Sequence, residues 1–226
     1  MAGVKEKTDI TIDENVFSFI YGMAVNDAMN RGADIKPDDK GKLLDSESIK
    51  AIVKEYAEAI INDKEIKFEE AVEQIINANK GEDIVSCLYY GKIQKLINMT
   101  MKYLYIKYYD DPIVSKRFDK CYAPMDSIML SFVFESYYIV KGEKRKKGSD
   151  RIFDKYISWS SSNSSVKETF HKYQEAIEYI IKELGLDINH IVFDVLYWEQ
   201  AKSIIYEEKR VEEQRKRIRE VWNLQN

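Results

Sequence analysis

Apolar residues recur along this chain at the spacing of helix faces, and no run alternates between apolar and polar residues as a half-buried strand does. In residues 14–30, for example, Phe17, Ile20 and Ala24 fall on one face. The same spacing predicts further helices over about residues 46–61, 67–79, 82–89, 92–109, 126–140, 166–184, 189–205 and 206–222. The pattern therefore predicts an all-α fold.

Polar and turn-forming residues separate these segments. Ser46 is placed to cap a helix that runs to about Ile61, and Gly185 closes another. Residues 34–45 are predicted as a loop, and residues 142–148 as an exposed basic loop. The serine-rich stretch 158–165 is read as a linker between helices, with a loop that faces DNA as the alternative.

Composition narrows the class of protein. The 226 residues are 45% hydrophobic and 33% charged, which is typical of a globular chain with a substantial core. No apolar run approaches the roughly 18 residues of a membrane span. Two cysteines and two histidines form no ligand cluster, so neither a metal nor a cofactor is expected. A reduced, cytoplasmic setting is the simplest reading.

The charge balance neither requires nor excludes a nucleic-acid partner. A net charge of −4 argues mildly against a general nucleic-acid binder, because phosphate contacts dominate such affinity. Positive charge is nevertheless concentrated locally. Candidate DNA contacts are Lys92 near a glycine turn and the basic cluster Lys144, Arg145, Lys146 and Lys147.

Two short motifs carry the candidate chemistry. Gly91 is followed four residues later by Lys95, and Pro124-Met-Asp126 opens the next strongly apolar run. Gly91 is predicted to form a tight turn with positive φ, which places Lys95 in the first turn of the following helix. An amine and a carboxylate at the starts of two helices can meet across a cleft and support covalent amine catalysis.

These motifs resemble the helix-hairpin-helix DNA glycosylases. Bifunctional members carry a Gly-x-Gly-x-Lys hairpin followed by Pro-Val-Asp, and Gly91 to Lys95 and Pro124 to Asp126 fit that frame. The 31-residue gap between Lys95 and Asp126 is most like the archaeal-type 8-oxoguanine glycosylase branch. Phe193-Asp194-Val-Leu-Tyr-Trp198 is similar to that branch's Leu-Asp-x-x-x-Trp segment.

The resemblance implies a fold and a set of residue roles. It implies two helical lobes around a cleft, with residues 1–226 as one domain, the hairpin and catalytic segment at about 82–140, and C-terminal helices at about 166–226. Lys95 would form a Schiff base, and Asp126 would cap its helix and assist the attack. Asp194 and Trp198 would line the base pocket, and Gly91 would belong to the hairpin that grips DNA.

Each of these residues also has a plain structural reading. Lys95 can be a solvated helix lysine, and Asp126 an ordinary helix cap. Trp198 can belong to the core, with Asp194 as the partner of a nearby lysine. Gln94, Asn98 and Tyr105 are candidates to line the same cleft. Asn26-Asp27 and Asn30-Arg31, polar residues that close the first helix, are candidate DNA or base contacts.

The leading hypothesis is a DNA glycosylase with AP-lyase activity that excises a damaged or modified purine, 8-oxoguanine being the base that the resemblance implies. The expected partner is double-stranded DNA with a modified base, bound by a monomer, with no role for a membrane. The alternatives are a non-enzymatic helical module that binds nucleic acid or protein, and a DNA-binding relative without turnover.

Overall fold

The computed structural model describes residues 9–30, 35–82, 84–143, 162, 165–208 and 210–224. These residues contain helices and no strand, so the all-α prediction is confirmed. None of these helices combines the length and hydrophobicity that a membrane crossing requires. The helices are α1 (Glu14–Ala28), α2 (Asp39–Asp45), α3 (Glu47–Ile61), α4 (Phe68–Glu82), α5 (Tyr90–Lys107), α6 (Pro112–Arg117), α7 (Ser127–Val140), α8 (Ser165–Glu183), α9 (His190–Lys202) and α10 (Val211–Val221).

Side-chain caps fix where several helices begin. Asp13, Ser46, Asp111, Asp126 and Asn189 each accept hydrogen bonds from backbone amides in the first turn of α1, α3, α6, α7 and α9. Such caps satisfy amides that have no partner within the helix, at about 1 kcal/mol each. The predicted cap at Ser46 is confirmed.

Helix α5 lies at the centre of the fold and contacts α1, α3, α4, α8 and α9. Its apolar side chains, among them Leu96, Ile97, Met101 and Leu104, are fully buried. Each such side chain stabilises the fold by roughly 1.5–3 kcal/mol through the surface it removes from water. Helix α7 is also largely buried and packs against α8, α9 and α10.

The predicted hairpin is the main correction to the expected fold. Helix α4 continues to Glu82, and the predicted helix at residues 82–89 does not form. The side chain of Asn79 instead pairs with both backbone groups of Val85, at 2.9 Å each, and so holds a buried loop before α5. Gly91 lies in the first turn of α5, and the glycines with positive φ among the described residues are Gly142 and Gly185. The predicted turn at Gly91 is therefore wrong.

Two other boundaries differ from the sequence prediction. Residues 39–45 form α2, where a loop was predicted, because Leu43 packs into the core and Asp39 is buried. The charged C-terminal segment is interrupted after a π-helical turn, Ser203–Glu207, and resumes as α10. Trp222, directly after α10, lies in the core.

The C-terminal helix is therefore anchored and not merely solvated. Trp222 is 6% exposed, stacks on Phe193 with ring centroids 5.9 Å apart, and donates a hydrogen bond from Nε1 to the Ser136 hydroxyl at 3.1 Å. Arg215 adds an ion pair to Glu135 on α7 at 2.9 Å. These contacts join α10 to α7 and α9.

We expect Trp222→Ala to lower the free energy of unfolding by about 3–5 kcal/mol, because it removes a buried indole and leaves a cavity. Val211→Ala, at the exposed start of the same helix, is the matched control and should change stability by less than about 1 kcal/mol. Urea denaturation of the three proteins measures both values. Equal losses in the two variants would show that α10 is not anchored through Trp222.

Candidate active site

Four parts of the chain converge on one small cavity of about 200 Å³. Helix α5 forms one wall, α1 and α9 contribute to the others, and the extended segment before α7 closes the site. The predicted residues Lys95, Asp126, Asp194 and Trp198 all line it. The full lining is Asp27, Lys95, Met99, Lys102, Tyr103, Pro124, Asp126, Asp194 and Trp198.

The wall from α5 follows from helix periodicity. Lys95, Met99, Lys102 and Tyr103 are spaced so that they share one face of the helix, toward α1 and α9. Because α5 begins at Tyr90, Lys95 lies in its second turn and not in the first turn as predicted. The other faces of α5 carry apolar core residues. A rotation of the helix that moved Lys95 and Lys102 away from the cavity would therefore expose the core.

Asp126 uses its two carboxylate oxygens for different contacts. Oδ1 accepts the backbone amides of Ile128 and Met129 at 2.9 Å each, which caps α7. Oδ2 lies 3.7 Å from Lys95 Nζ and accepts a hydrogen bond from Trp198 Nε1 at 3.4 Å. The cap thus fixes the side chain, and the second oxygen faces the amine across the cavity.

Two buried glutamines hold the extended segment that carries Asp126. Gln94 donates to the Met125 carbonyl at 2.9 Å and accepts from the Met125 amide at 3.2 Å. Gln174 forms the same pair of bonds with Ala123, at 2.8 and 3.1 Å. Tyr173 donates its hydroxyl hydrogen to the Pro124 carbonyl at 3.1 Å. Backbone groups that have no helix partner are therefore satisfied by side chains.

A second amine and carboxylate face the same cavity. Lys102 Nζ is 2.6 Å from Asp194 Oδ2, and the Asp194 side chain is almost completely buried. Burial raises the pKa of Asp194 to about 6, Lys102 opposes that shift, and the negative charge of Asp126 adds to it. Burial therefore outweighs the lysines at Asp194, and Lys102 is the nearest group that favours its charged form.

The structure separates the other candidates. Gln94 and Asn98 are buried beneath the cavity, and Tyr105 lines a different surface depression, of about 1110 Å³, between α5, α6, α8 and α9. His190 is the first residue of α9, and its Nδ1 lies 2.9 Å from Oε1 of Gln174. Burial lowers the pKa of this imidazole. Trp198 is half-buried at the cavity wall and is not part of the closed core.

The predicted phosphate contacts are partly contradicted. Lys92 is fully buried and donates from Nζ to the Cys87 carbonyl at 3.0 Å, so its amine does not reach a surface where DNA could bind. Gly91 is buried in α5 as well. These placements have one cause, since the helix starts earlier than predicted and turns both positions inward. The cluster Lys144, Arg145, Lys146 and Lys147 lies outside the described residues.

Three cavity residues, Met99, Lys102 and Tyr103, are not among those that the sequence motifs indicate. Their spacing from Lys95 on one helix face is the signal in the sequence that points to them. Asp27, a candidate DNA or base contact, lines the cavity from α1.

No protein-family model, curated protein or solved structure shows a significant match to this chain. The interpretation of the cavity therefore depends on its own geometry and on the motifs that the sequence carries.

Because the pKa of Asp194 is raised, we expect the difference in unfolding free energy between Asp194→Asn and the wild type to depend on pH. Folded Asp194 keeps its proton to a higher pH than the unfolded chain does, so this group lowers stability as pH rises from about 4 through 6. Asp194→Asn cannot titrate. Its unfolding free energy, relative to the wild type, should rise by roughly 2–3 kcal/mol between about pH 4 and pH 7.5. Denaturant unfolding at both pH values measures this. A difference that stays flat or falls would mean that Lys102 outweighs burial.

Proposed function

We propose that this protein is a DNA glycosylase with AP-lyase activity, which excises a modified purine through a Schiff base on Lys95. The observation that carries the proposal is the convergence of Lys95, Asp126 and Trp198 on one cavity. The Lys95 and Asp126 side chains are 11% and 17% exposed, so both are shielded and still reachable. Covalent amine catalysis needs this combination of a sheltered amine and a nearby carboxylate.

The proposed reaction proceeds through a covalent bond between Lys95 and the sugar. The uncharged Lys95 amine adds to C1′ of the flipped nucleotide, and the C1′–N bond breaks with its electron pair going to the base. The base takes up the proton that the amine releases. The C1′–O4′ bond then breaks, O4′ takes a proton from water, and a protonated imine forms on Lys95. Water or hydroxide accepts a proton from C2′ as the 3′ phosphate leaves, which cleaves the strand.

Asp126 supports the first step by electrostatics. Positive charge develops on the sugar as the base leaves, and a fixed carboxylate oxygen beside the amine stabilises that charge. The cap through Oδ1 holds the carboxylate in place before substrate arrives, so no reorganisation is needed. Trp198 donates to Oδ2 and keeps this oxygen directed into the cavity.

The remaining groups suit a flipped base. The cavity is smaller than the roughly 300–1,000 Å³ of sites for drug-sized ligands, which favours a ligand the size of a single nucleobase. The Trp198 indole offers a stacking surface, and Asp194 offers an acceptor for a purine's N–H edge. A purine such as 8-oxoguanine, extruded from duplex DNA by a monomer, is the proposed substrate.

Two observations favour the alternative of a non-enzymatic helical binding module. Lys92 is buried and Gly91 lies within a helix, so neither residue can make the DNA phosphate contact that was expected of it. That alternative leaves unexplained why two amines and three carboxylates surround one small cavity. Charged groups are costly to bury, and a cavity that keeps them together is more typical of a catalytic site.

The Schiff base is tested on DNA that contains an abasic site or a modified base. Borohydride should trap the wild-type protein on such DNA, and Lys95→Ala should abolish trapping with its melting temperature unchanged within a few degrees. Lys116→Ala, on the exposed face of α6, is the matched lysine control and should trap like the wild type. Undiminished trapping by Lys95→Ala would place the nucleophile elsewhere, and Lys102→Ala would then be the next variant to examine.

Asp126→Asn separates the cap from the charge. An amide oxygen can still accept the two backbone amides, so stability should change by no more than about 1 kcal/mol. Loss of the negative charge should reduce single-turnover excision by about a hundredfold or more. Unchanged excision in this variant would reduce Asp126 to a helix cap.

A further inference from the structure

Asp27 gives the cavity a carboxylate for which the proposed chemistry has no use. It projects from the last turn of α1 into the cavity wall, and Oδ2 accepts the Tyr103 hydroxyl at 2.5 Å. That hydrogen bond spans two helices and fixes where the carboxylate points. Among the described residues, no lysine or arginine nitrogen lies within 4.0 Å of Asp27.

Among the described residues that line the cavity, three carboxyl groups face two lysine amines. Lys102 is engaged by Asp194 at 2.6 Å, and Lys95 lies beside Asp126 at 3.7 Å, which leaves Asp27 as the third carboxylate. The imbalance grows during the reaction, since Lys95 has to be uncharged when it attacks. A bound base would also displace water from Asp27, and a desolvated carboxylate that faces a neutral ring is costly.

We propose that the cavity selects a purine-type base that carries a positive charge, and that Asp27 is the residue which reads that charge. This inference rests on the proposed glycosylase function. The charge can lie in the ring, as in an N-alkylated purine, or on a protonated amine substituent. In both cases a charge-assisted hydrogen bond or close ion pair with Asp27 replaces the water that is lost.

The geometry fits this role better than a catalytic one. Asp27 comes from the wall that α1 forms, and its partner is the Tyr103 hydroxyl, whereas Asp126 is the carboxylate that lies beside the Lys95 amine. Tyr103 donates its hydroxyl hydrogen to Oδ2 of Asp27 and holds this carboxyl group in the cavity wall. For a ring-alkylated purine, the electrons of the broken C1′–N bond also neutralise the ring, so recognition of the cation favours a base that leaves readily.

The test compares matched bases in otherwise identical duplexes under single-turnover conditions. One pair is 7-aminomethyl-7-deazaguanine against its neutral counterpart 7-hydroxymethyl-7-deazaguanine. A second pair is 7-methylguanine against 8-oxoguanine. An abasic-site duplex reports the Lys95 chemistry independently of any base. We expect the wild type to release at least one cationic base at least about tenfold faster than its neutral partner.

Substitution of Asp27 should reduce the preference. Asp27→Asn, and Asp27→Ala as a second variant in case the first is poorly folded, should lower the cationic-to-neutral ratio at least about tenfold below that of the wild type. Cleavage of the abasic duplex by each variant is measured alongside, and every release rate is expressed relative to it. Asp45→Asn, an exposed carboxylate on α2, is the control and should keep the wild-type ratio.

The outcomes distinguish the two proposals. Lys95-dependent cleavage of the abasic duplex, together with equal or faster release of the neutral bases, would overturn the role of Asp27 and leave the glycosylase proposal standing. A cationic-to-neutral ratio that stays at the wild-type value in both Asp27 variants would overturn it as well. Absence of Lys95-dependent trapping on every duplex would remove both proposals. If only the deazaguanine pair shows a preference that depends on Asp27, the charge that is read lies on a substituent. If only the 7-methylguanine pair shows it, the charge lies in the ring.

Discussion

The extended segment at residues 121–126 depends on hydrogen bonds that reach it from two buried helices, and the cavity depends on that segment. Gln94 on α5 and Gln174 on α8 each pair with one of its residues, through both the amide and the carbonyl. Because each lost bond would leave buried groups unsatisfied at about 1–3 kcal/mol, the segment has little freedom. Gln94 is adjacent to Lys95 in sequence, so the same helix places the amine and positions the carboxylate that faces it.

Polar side chains make up much of the cavity lining. Two lysine and three aspartate side chains share about 200 Å³, and collapse of the walls would take these groups further from water, which is costly. The ion pair between Lys102 and Asp194 joins α5 to α9, and the bond between Tyr103 and Asp27 joins α5 to α1. Polar groups from one helix therefore define the positions of three other elements, and they leave room between them for a ligand.

The sequence predicted the parts of this structure that depend on local pattern. Apolar periodicity identified most helices, and Ser46 was recognised as a cap because capping involves only neighbouring residues. The motifs at Lys95 and Asp126 indicated a shared cleft, and the structure places both side chains on one cavity. The predicted hairpin is wrong because Gly91 lies within α5 and does not form a turn, and Ile93 two residues later is buried and continues the helix. Asp27 and Gln94 could not be assigned from sequence, since their roles depend on partners many residues away.

The position of a covalent adduct is the most direct test of Lys95 as the nucleophile of a DNA strand-cleaving reaction. The wild-type protein is reduced with borohydride on an abasic-site duplex, digested with nuclease and protease, and mapped by mass spectrometry. We expect a sugar remnant on the Lys95 side chain and none on the Lys102 side chain. An adduct on another lysine or on the terminal amine, or no adduct at all, would contradict it.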